Sequence, residues 1–507
     1  MESATVTSPT PGSGSAAGDK GLKTGALGFV SSLVIGVAST APGYSLAASL
    51  GIVVAVSGIG LQAPAVFILA FIPMLLIASS YYYMNRADPD CGTTFSWVTR
   101  AMGPHAGWLG GWAIIVADVI VMANLAQIAG LYSFLLVGWD SAAESTAAVT
   151  AVGVVWIAIM TWICVVGIEL SARTQVALLG AEVITLTLFA VVALIKVAAG
   201  EAGPNAVDPS LSWLNPFDID SVDAMVSGVL VAVFIYWGWD STVTVNEESR
   251  DSTEGPGKAA ILATILLLLI YVIVSIAAQA YNGAQTLIDN QEDVLSVLGK
   301  DVFGEPLDKI LIIAVLTSAA ASTQTTILPT ARTSLSMARN GAMPRILGDV
   351  HPRFQTPHVS TALMGALSIV WYVGLTIVSE NILFDSIAAL GLMIAFYYGI
   401  TGFACAIFYR KVIFHNLKTV LLIGVGPLLG GVMLLGIFVK SCWDLADPGN
   451  SESGDSWFGL GPPLVIGLGF LILGAILMVV WQARHPQFFR RRPEVADEGI
   501  LERAPAA

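Results

Sequence analysis

The sequence predicts an all-α integral membrane protein of about twelve transmembrane helices, from its composition, its long apolar runs and the placement of its cations. Of 507 residues, 55% are hydrophobic and only 12% charged, against roughly 25% charged in soluble domains. Mean hydropathy is +0.77. A span needs ~20 apolar residues, and such runs lie near 25–53, 61–84, 105–138, 147–168, 171–199, 223–248, 258–281, 306–339, 358–379, 383–410, 418–440 and 459–483. Several exceed the minimum, which implies tilt or extension beyond the hydrocarbon. Lys20, Lys23, Arg86, Arg100, Arg173, Arg250, Lys258, Arg332, Arg339, Arg345, Arg353, Arg410, Lys411, Lys418 and Arg490 to Arg492 fall on one side of this map. The other side carries Asp140, Glu144, Asp218, Asp220, Asp223, Glu292, Asp293, Asp444 and Asp455, with Lys196, Lys300, Lys309 and Lys440 as exceptions. By the positive-inside rule both termini are expected in the cytoplasm, and the plasma membrane is the expected location.

The net charge of -13 belongs mostly to the segments placed outside, and no basic surface for nucleic acid is present. Cys91, Cys164, Cys405 and Cys442 have no paired metal-ligand spacing and read as packing residues. Residues 1–24, rich in Ser, Thr, Gly, Pro and Ala, read as a disordered cytoplasmic tail. They contain no apolar core, so they do not read as a signal peptide. Residues 484–507 read as a second cytoplasmic tail.

Span one contains Ser39-Thr40-Ala41-Pro42-Gly43-Tyr44. Proline removes a backbone donor, so this Pro-Gly pair is expected to break or kink the helix in mid-span. Span six contains Phe234-Ile235-Tyr236-Trp237-Gly238-Trp239-Asp240. Its Gly238 weakens the helix, and Asp240 is costly in hydrocarbon unless it faces a cavity or a partner. Asp240 also fits as an N-cap for a half-helix beginning at Ser241. Two interrupted helices five spans apart point to an inverted-repeat transporter with a site at the bilayer midplane.

The link after span two reads Asp90-Cys91-Gly92-Thr93-Thr94-Phe95-Ser96-Trp97-Val98-Thr99-Arg100-Ala101-Met102-Gly103-Pro104. This stretch resembles the Gly-Gly-x-Tyr-x-Tyr-x-x-Arg-Ala-x-Gly-Pro motif of the amino acid/polyamine/organocation transporter superfamily, with Thr93, Phe95 and Trp97 at the second-glycine and aromatic positions. The resemblance extends to Glu247-Glu248 through Lys258, and to Met337-Ala338-Arg339-Asn340-Gly341 through Pro344. His351-Pro352 and Thr356-Pro357 complete it, so that it covers most of 25–410. Span one departs from the family, with Ser39-Thr40-Ala41-Pro42-Gly43 in place of a Gly-Ser-Gly-like signature.

The resemblance implies a five-plus-five inverted repeat, 25–199 and 223–410, plus two trailing helices in 411–483. Residues 200–222 form the expected extracellular loop between the repeats. Ser39, Thr40, Ala41, Pro42 and Gly43 are then expected to face Tyr236, Trp237, Gly238, Trp239 and Asp240 across a substrate, with Phe234 at the position of an aromatic lid. Half-helix starts offer N–H groups to an anion, and half-helix ends offer carbonyls to a cation or amine.

Four further residues are expected to serve ion coupling. Glu182 lies midway along span five, where many relatives carry Lys, and Asp118 lies deep in span three. Either acid also fits a hydrogen-bonded structural role. Ser318 and Ser322 sit one turn apart on span eight, whose hydroxyls form a cation site with span one in sodium-driven relatives. Such hydroxyls equally bond their own backbone.

No phosphate-cradling loop is present, since Ser252 stands where the first glycine before Gly257-Lys258 belongs. No metal cluster or nucleophile–base constellation is apparent, so neither a cofactor nor an enzymatic activity is expected. The expected function is secondary transport of an amino acid or related organic amine, coupled to a proton rather than to sodium. A polyamine or organic cation transporter, an exchanger, and a channel or transporter-like receptor are the alternatives.

Overall fold

Long apolar runs in a solvent without hydrogen-bonding partners must satisfy their backbone internally, and the helix does so. The computed structural model describes residues 20–290, 294–378, 380–451 and 453–496. Among these, extended pairing is confined to two isolated bridges, Leu27 with Ser249 and Trp457 with Leu460. Eleven helices are long and apolar enough to cross a membrane: Phe29–Ala55, Gly60–Ala87, Pro104–Val137, Thr146–Val166, Ile168–Ala199, Gly255–Asp289, Lys309–Arg339, His358–Val378, Asp385–Phe408, Leu417–Asp444 and Pro462–Arg484. They follow the apolar runs of the sequence closely, and are named below by their place among the twelve expected spans.

The sixth run is the exception. It forms two short helices, Val222–Phe234 and Ser241–Thr244, separated by turns. A helix of 13 residues covers about 20 Å, short of the ~30 Å hydrocarbon. Span one is also broken. Phe29–Ser39 and Pro42–Ala55 are joined through Ala41, a residue in the left-handed region at φ 47.

Spans one, three, eight and ten are mostly enclosed by protein, whereas spans four, five, nine, eleven and twelve bury only about a third of their residues. The outward residues of the second group are apolar, for example Trp162, Ile184, Val370 and Val480. Facing lipid rather than water, they need no further cover. The enclosed spans carry the polar side chains, so the breaks sit where loose backbone meets protein.

Both expected tails contribute ordered residues. Residues 1–19 and 497–507 lie outside the described residues, but Lys20 and Leu22 are buried against the body. At the other end Phe488 and Phe489 are buried, Phe488 stacking on Phe95. The Ala496 N–H donates to the Phe408 carbonyl at 2.9 Å. Cys91, Cys164 and Cys405 are buried free thiols and Cys442 is half-buried.

Candidate functional site

The break in span one frees backbone groups that helix geometry would otherwise pair. Several of them find side chains. On the carbonyl side, Ser39 O accepts from Ser322 Oγ at 2.9 Å, Val37 O from Thr40 Oγ1 at 2.7 Å, and Thr40 O from Ser45 Oγ at 2.7 Å. On the amide side, Pro42 has no N–H to satisfy. The Gly43 N–H donates to Glu182 Oε1 at 2.7 Å, and the Tyr44 N–H to Ser318 Oγ at 3.1 Å. The Glu182 carboxylate therefore sits on the N-terminus of Pro42–Ala55, where the helix dipole favours an anion. Its second oxygen, Oε2, is buried without a partner among the described residues.

The interruption in the sixth segment is built around Gly238, at φ 116. A Cβ there would lie 2.7 Å from the Ser39 carbonyl oxygen, so both the backbone conformation and the close approach require glycine. The two breaks touch at this point, and the Ser39 and Ser241 hydroxyls lie 2.8 Å apart. The Ile235 carbonyl accepts from Tyr271 OH at 2.5 Å, and the Gly238 N–H donates to Tyr398 OH at 3.4 Å.

Asp240 is buried but makes no side-chain cap for Ser241–Thr244. Its carboxylate instead accepts from Tyr398 OH at 2.8 Å and from Tyr397 OH at 3.4 Å. The Trp237 Nε1–H donates to Tyr397 OH. Trp239 stacks on Tyr398 with ring centroids 5.1 Å apart and meets Tyr81 edge-on at 5.1 Å. Its Nε1–H is buried without a partner among the described residues. Tyr236 turns away from this cluster, donating to the Phe67 carbonyl at 3.0 Å and packing edge-on against Tyr271. Phe234 is half-buried at the end of Val222–Phe234.

Thus Ser39, Gly43, Glu182, Gly238, Ser318 and Ser322 converge on the two breaks, while Thr40, Ala41 and Pro42 shape the turn between the half-helices. Among the described hydrogen bonds Asp118 reaches neither break: it accepts from Thr330 Oγ1, joining span three to span eight. Tyr271, Tyr397 and Tyr398 were not among the residues expected at the site. The adjacent tyrosines within the apolar run Ile394–Ile400 were a usable signal, since a buried phenol needs a partner.

Beyond the breaks, at the end of the molecule that carries most of the cations, lies a different kind of polar cluster. Lys20 Nζ is 2.8 Å from Asp90 Oδ2 and 2.6 Å from Glu247 Oε1. Asp90 Oδ1 also accepts from Gly92 N–H, Ser96 Oγ and Ser336 Oγ, each at 2.7 Å. Burial alone would raise Asp90, but Lys20 and the hydroxyl donors outweigh it and hold the carboxyl below its usual range. Arg332, only 2% exposed, forms a bidentate pair with Glu248 at 2.6 and 2.8 Å. These pairs tie the chain before span one, the link after span two, the end of the sixth segment and span eight together.

A family model described as amino acid permease matches residues 27–481. The chain belongs to that family. Among relatives of this permease, an uncharacterised transporter of Mycobacterium tuberculosis is 28% identical over 67% of the chain and 72% of its own length. A vacuolar cationic amino acid transporter of Arabidopsis thaliana is 25% identical over 60% of the chain and 51% of its own length. A low-affinity putrescine importer of Escherichia coli is 21% identical over 60% of the chain and 66% of its own length. The permease is a membrane transporter whose relatives move small organic solutes.

Proposed function

We propose that this permease is a secondary active transporter that imports an amino acid or related organic amine across the plasma membrane by alternating access, with a proton as coupling ion. The single observation that carries the reading is the contact of the two helix breaks at Ser39 and Gly238, with Glu182 on one side and an aromatic–carboxylate cluster on the other. In this reading the substrate lies between residues 39–43 and 236–240, under Phe234. The unpartnered Trp239 Nε1–H offers a donor to a substrate oxygen, and the Trp237 and Trp239 faces with Asp240 suit an ammonium group. Glu182 takes up the coupling proton, and Ser318 and Ser322 hold the span-one backbone that Glu182 caps. Asp118, on the enclosed side of span three, is a second coupling acid. Both termini lie in the cytoplasm, following the cation distribution, and the two halves, 25–199 and 223–410, move as inverted repeats.

The buried acid and aromatic surplus favours a second reading of the substrate, a polyamine or other organic cation. The putrescine importer among the relatives supports it. Purified permease in liposomes should accumulate tritiated amino acid or putrescine above its electrochemical equilibrium when an inward proton gradient is imposed. Uptake that saturates but never exceeds equilibrium would identify a channel or facilitator instead.

A further inference from the structure

On the cation-rich face, a cavity of about 250 Å³ opens where span four ends and span five begins. Lys23, Arg173 and Arg353 line it from three separate segments, against the single carboxylate of Glu169. Lys23 and Glu169 pair at 2.9 Å, and both side chains are nearly half exposed. Arg173 and Arg353 form no salt bridge with any described residue, and the Arg353 guanidinium lies over the Phe354 ring at 5.5 Å. Glu169 pairs with Lys23 and also feels Arg173, so three cations face one carboxylate and the mouth keeps a net positive charge.

The surroundings of the cavity decide what it fits. Leu170, part of its wall, is 38% exposed. Trp162, one turn before the end of span four, is 62% exposed, and Val176, one turn beyond Arg173 on span five, is 49% exposed. Spans four and five are among the least enclosed in the molecule, so these residues belong to its lipid-facing belt. A cation-lined cavity continuous with a lipid-facing apolar surface matches a ligand with an anionic head and apolar tails. We infer that this cavity is a binding site for the headgroup of an anionic phospholipid. Its phosphodiester would be held by Arg173 and Arg353, with its chains lying along Trp162, Leu170 and Val176. A zwitterionic choline headgroup carries its own cation, which the excess of basic side chains repels. Arginine's planar fork suits a phosphate, and juxtamembrane basic residues attract anionic lipid by about 1 kcal/mol each.

Trp162 reports on this site. Reconstituted in phosphatidylcholine vesicles with a minor fraction of chain-brominated lipid, the permease should be quenched more by brominated phosphatidylglycerol than by brominated phosphatidylcholine. The difference should disappear in Trp162→Phe. At about 1 kcal/mol each, the two arginines correspond to a local enrichment on the order of thirtyfold. The Arg173→Gln/Arg353→Gln variant should bring the two lipids to parity, and Arg353→Gln alone, a substitution outside the helices, should remove part of the excess. Equal quenching in the wild type overturns the inference, as does an excess that survives both substitutions. An excess abolished by millimolar inorganic phosphate would reassign the cavity to a small soluble anion.

Discussion

Two groups of buried acids in this permease are stabilised in opposite ways. At the cation-rich end, Asp90 and the half-buried Glu247 share Lys20, and Glu248 is gripped by Arg332. At the helix breaks, the Glu182 carboxylate accepts from the Gly43 N–H, and Asp240 meets two phenols. No described Lys or Arg is ion-paired with either of the latter. A buried carboxylate with a cation beside it is held charged and serves as a fixed tie. One with neutral donors alone has its charge balanced only by dipoles, so gaining a proton or meeting a cationic substrate costs it little. The first group holds segments together; in the proposed mechanism the second changes its state.

The strongest way to break this contrast is to remove one of the ties. Arg332→Met leaves Glu248 buried and unpaired, which should cost about 3–5 kcal/mol and sharply reduce the yield of folded protein. The Arg332→Met/Glu248→Met pair should recover most of that loss, measured by fluorescence size-exclusion chromatography. A single variant as stable as the wild type would show that water or a rearranged cation reaches Glu248.

The acids at the breaks should respond in function rather than in folding. Glu182→Gln retains an oxygen acceptor for the Gly43 N–H, so the half-helix cap survives, but the site can no longer exchange a proton. Accumulation driven by an inward pH gradient should be abolished while counterflow of labelled substrate persists. Wild-type pH dependence of accumulation in this variant would make Glu182 a structural cap and move attention to Asp240.

A smaller loss is expected at the aromatic cluster. Trp237→Ala removes both a ring face and the donor to Tyr397, and should weaken substrate binding about tenfold, as loss of a cation–π contact together with a hydrogen bond requires. Tyr236→Ala tests the other side of the comparison. Because Tyr236 bonds the Phe67 carbonyl, its loss should lower thermal stability more than affinity. Isothermal titration alongside thermal denaturation separates the two, and equal affinity losses would return Tyr236 to the substrate surface.

The subtlest effect concerns Asp88, just outside span two. Burial, and then the neighbouring Asp90, push its carboxyl up to about 6 despite Arg100. A carboxyl with a raised folded-state pKa adds stability while protonated, and that contribution is lost as pH rises from about 4 to about 6. Melting temperature should therefore drop by a few degrees across that window, and Asp88→Asn should flatten the drop. An unchanged slope would assign the titration to another group.

The sequence by itself determined the membrane-helix architecture and the positions of the breaks. Apolar runs of spanning length leave the backbone no alternative to the helix, and Pro42 and Gly238 interrupt it through local chemistry alone. It also marked Glu182, Ser318 and Ser322 as polar residues at depth. What it could not supply was pairing, because partners lie far apart in the chain. Asp240 fitted a local N-cap, yet in the fold its carboxylate turns to Tyr397 and Tyr398, more than 150 residues away. Lys20 read as the end of a polar tail, because composition reports what a segment can bury alone and not what another segment offers it. Only the tertiary structure brought Asp90 and Glu247 around its ammonium group, and only there does the desolvation of a lysine become favourable.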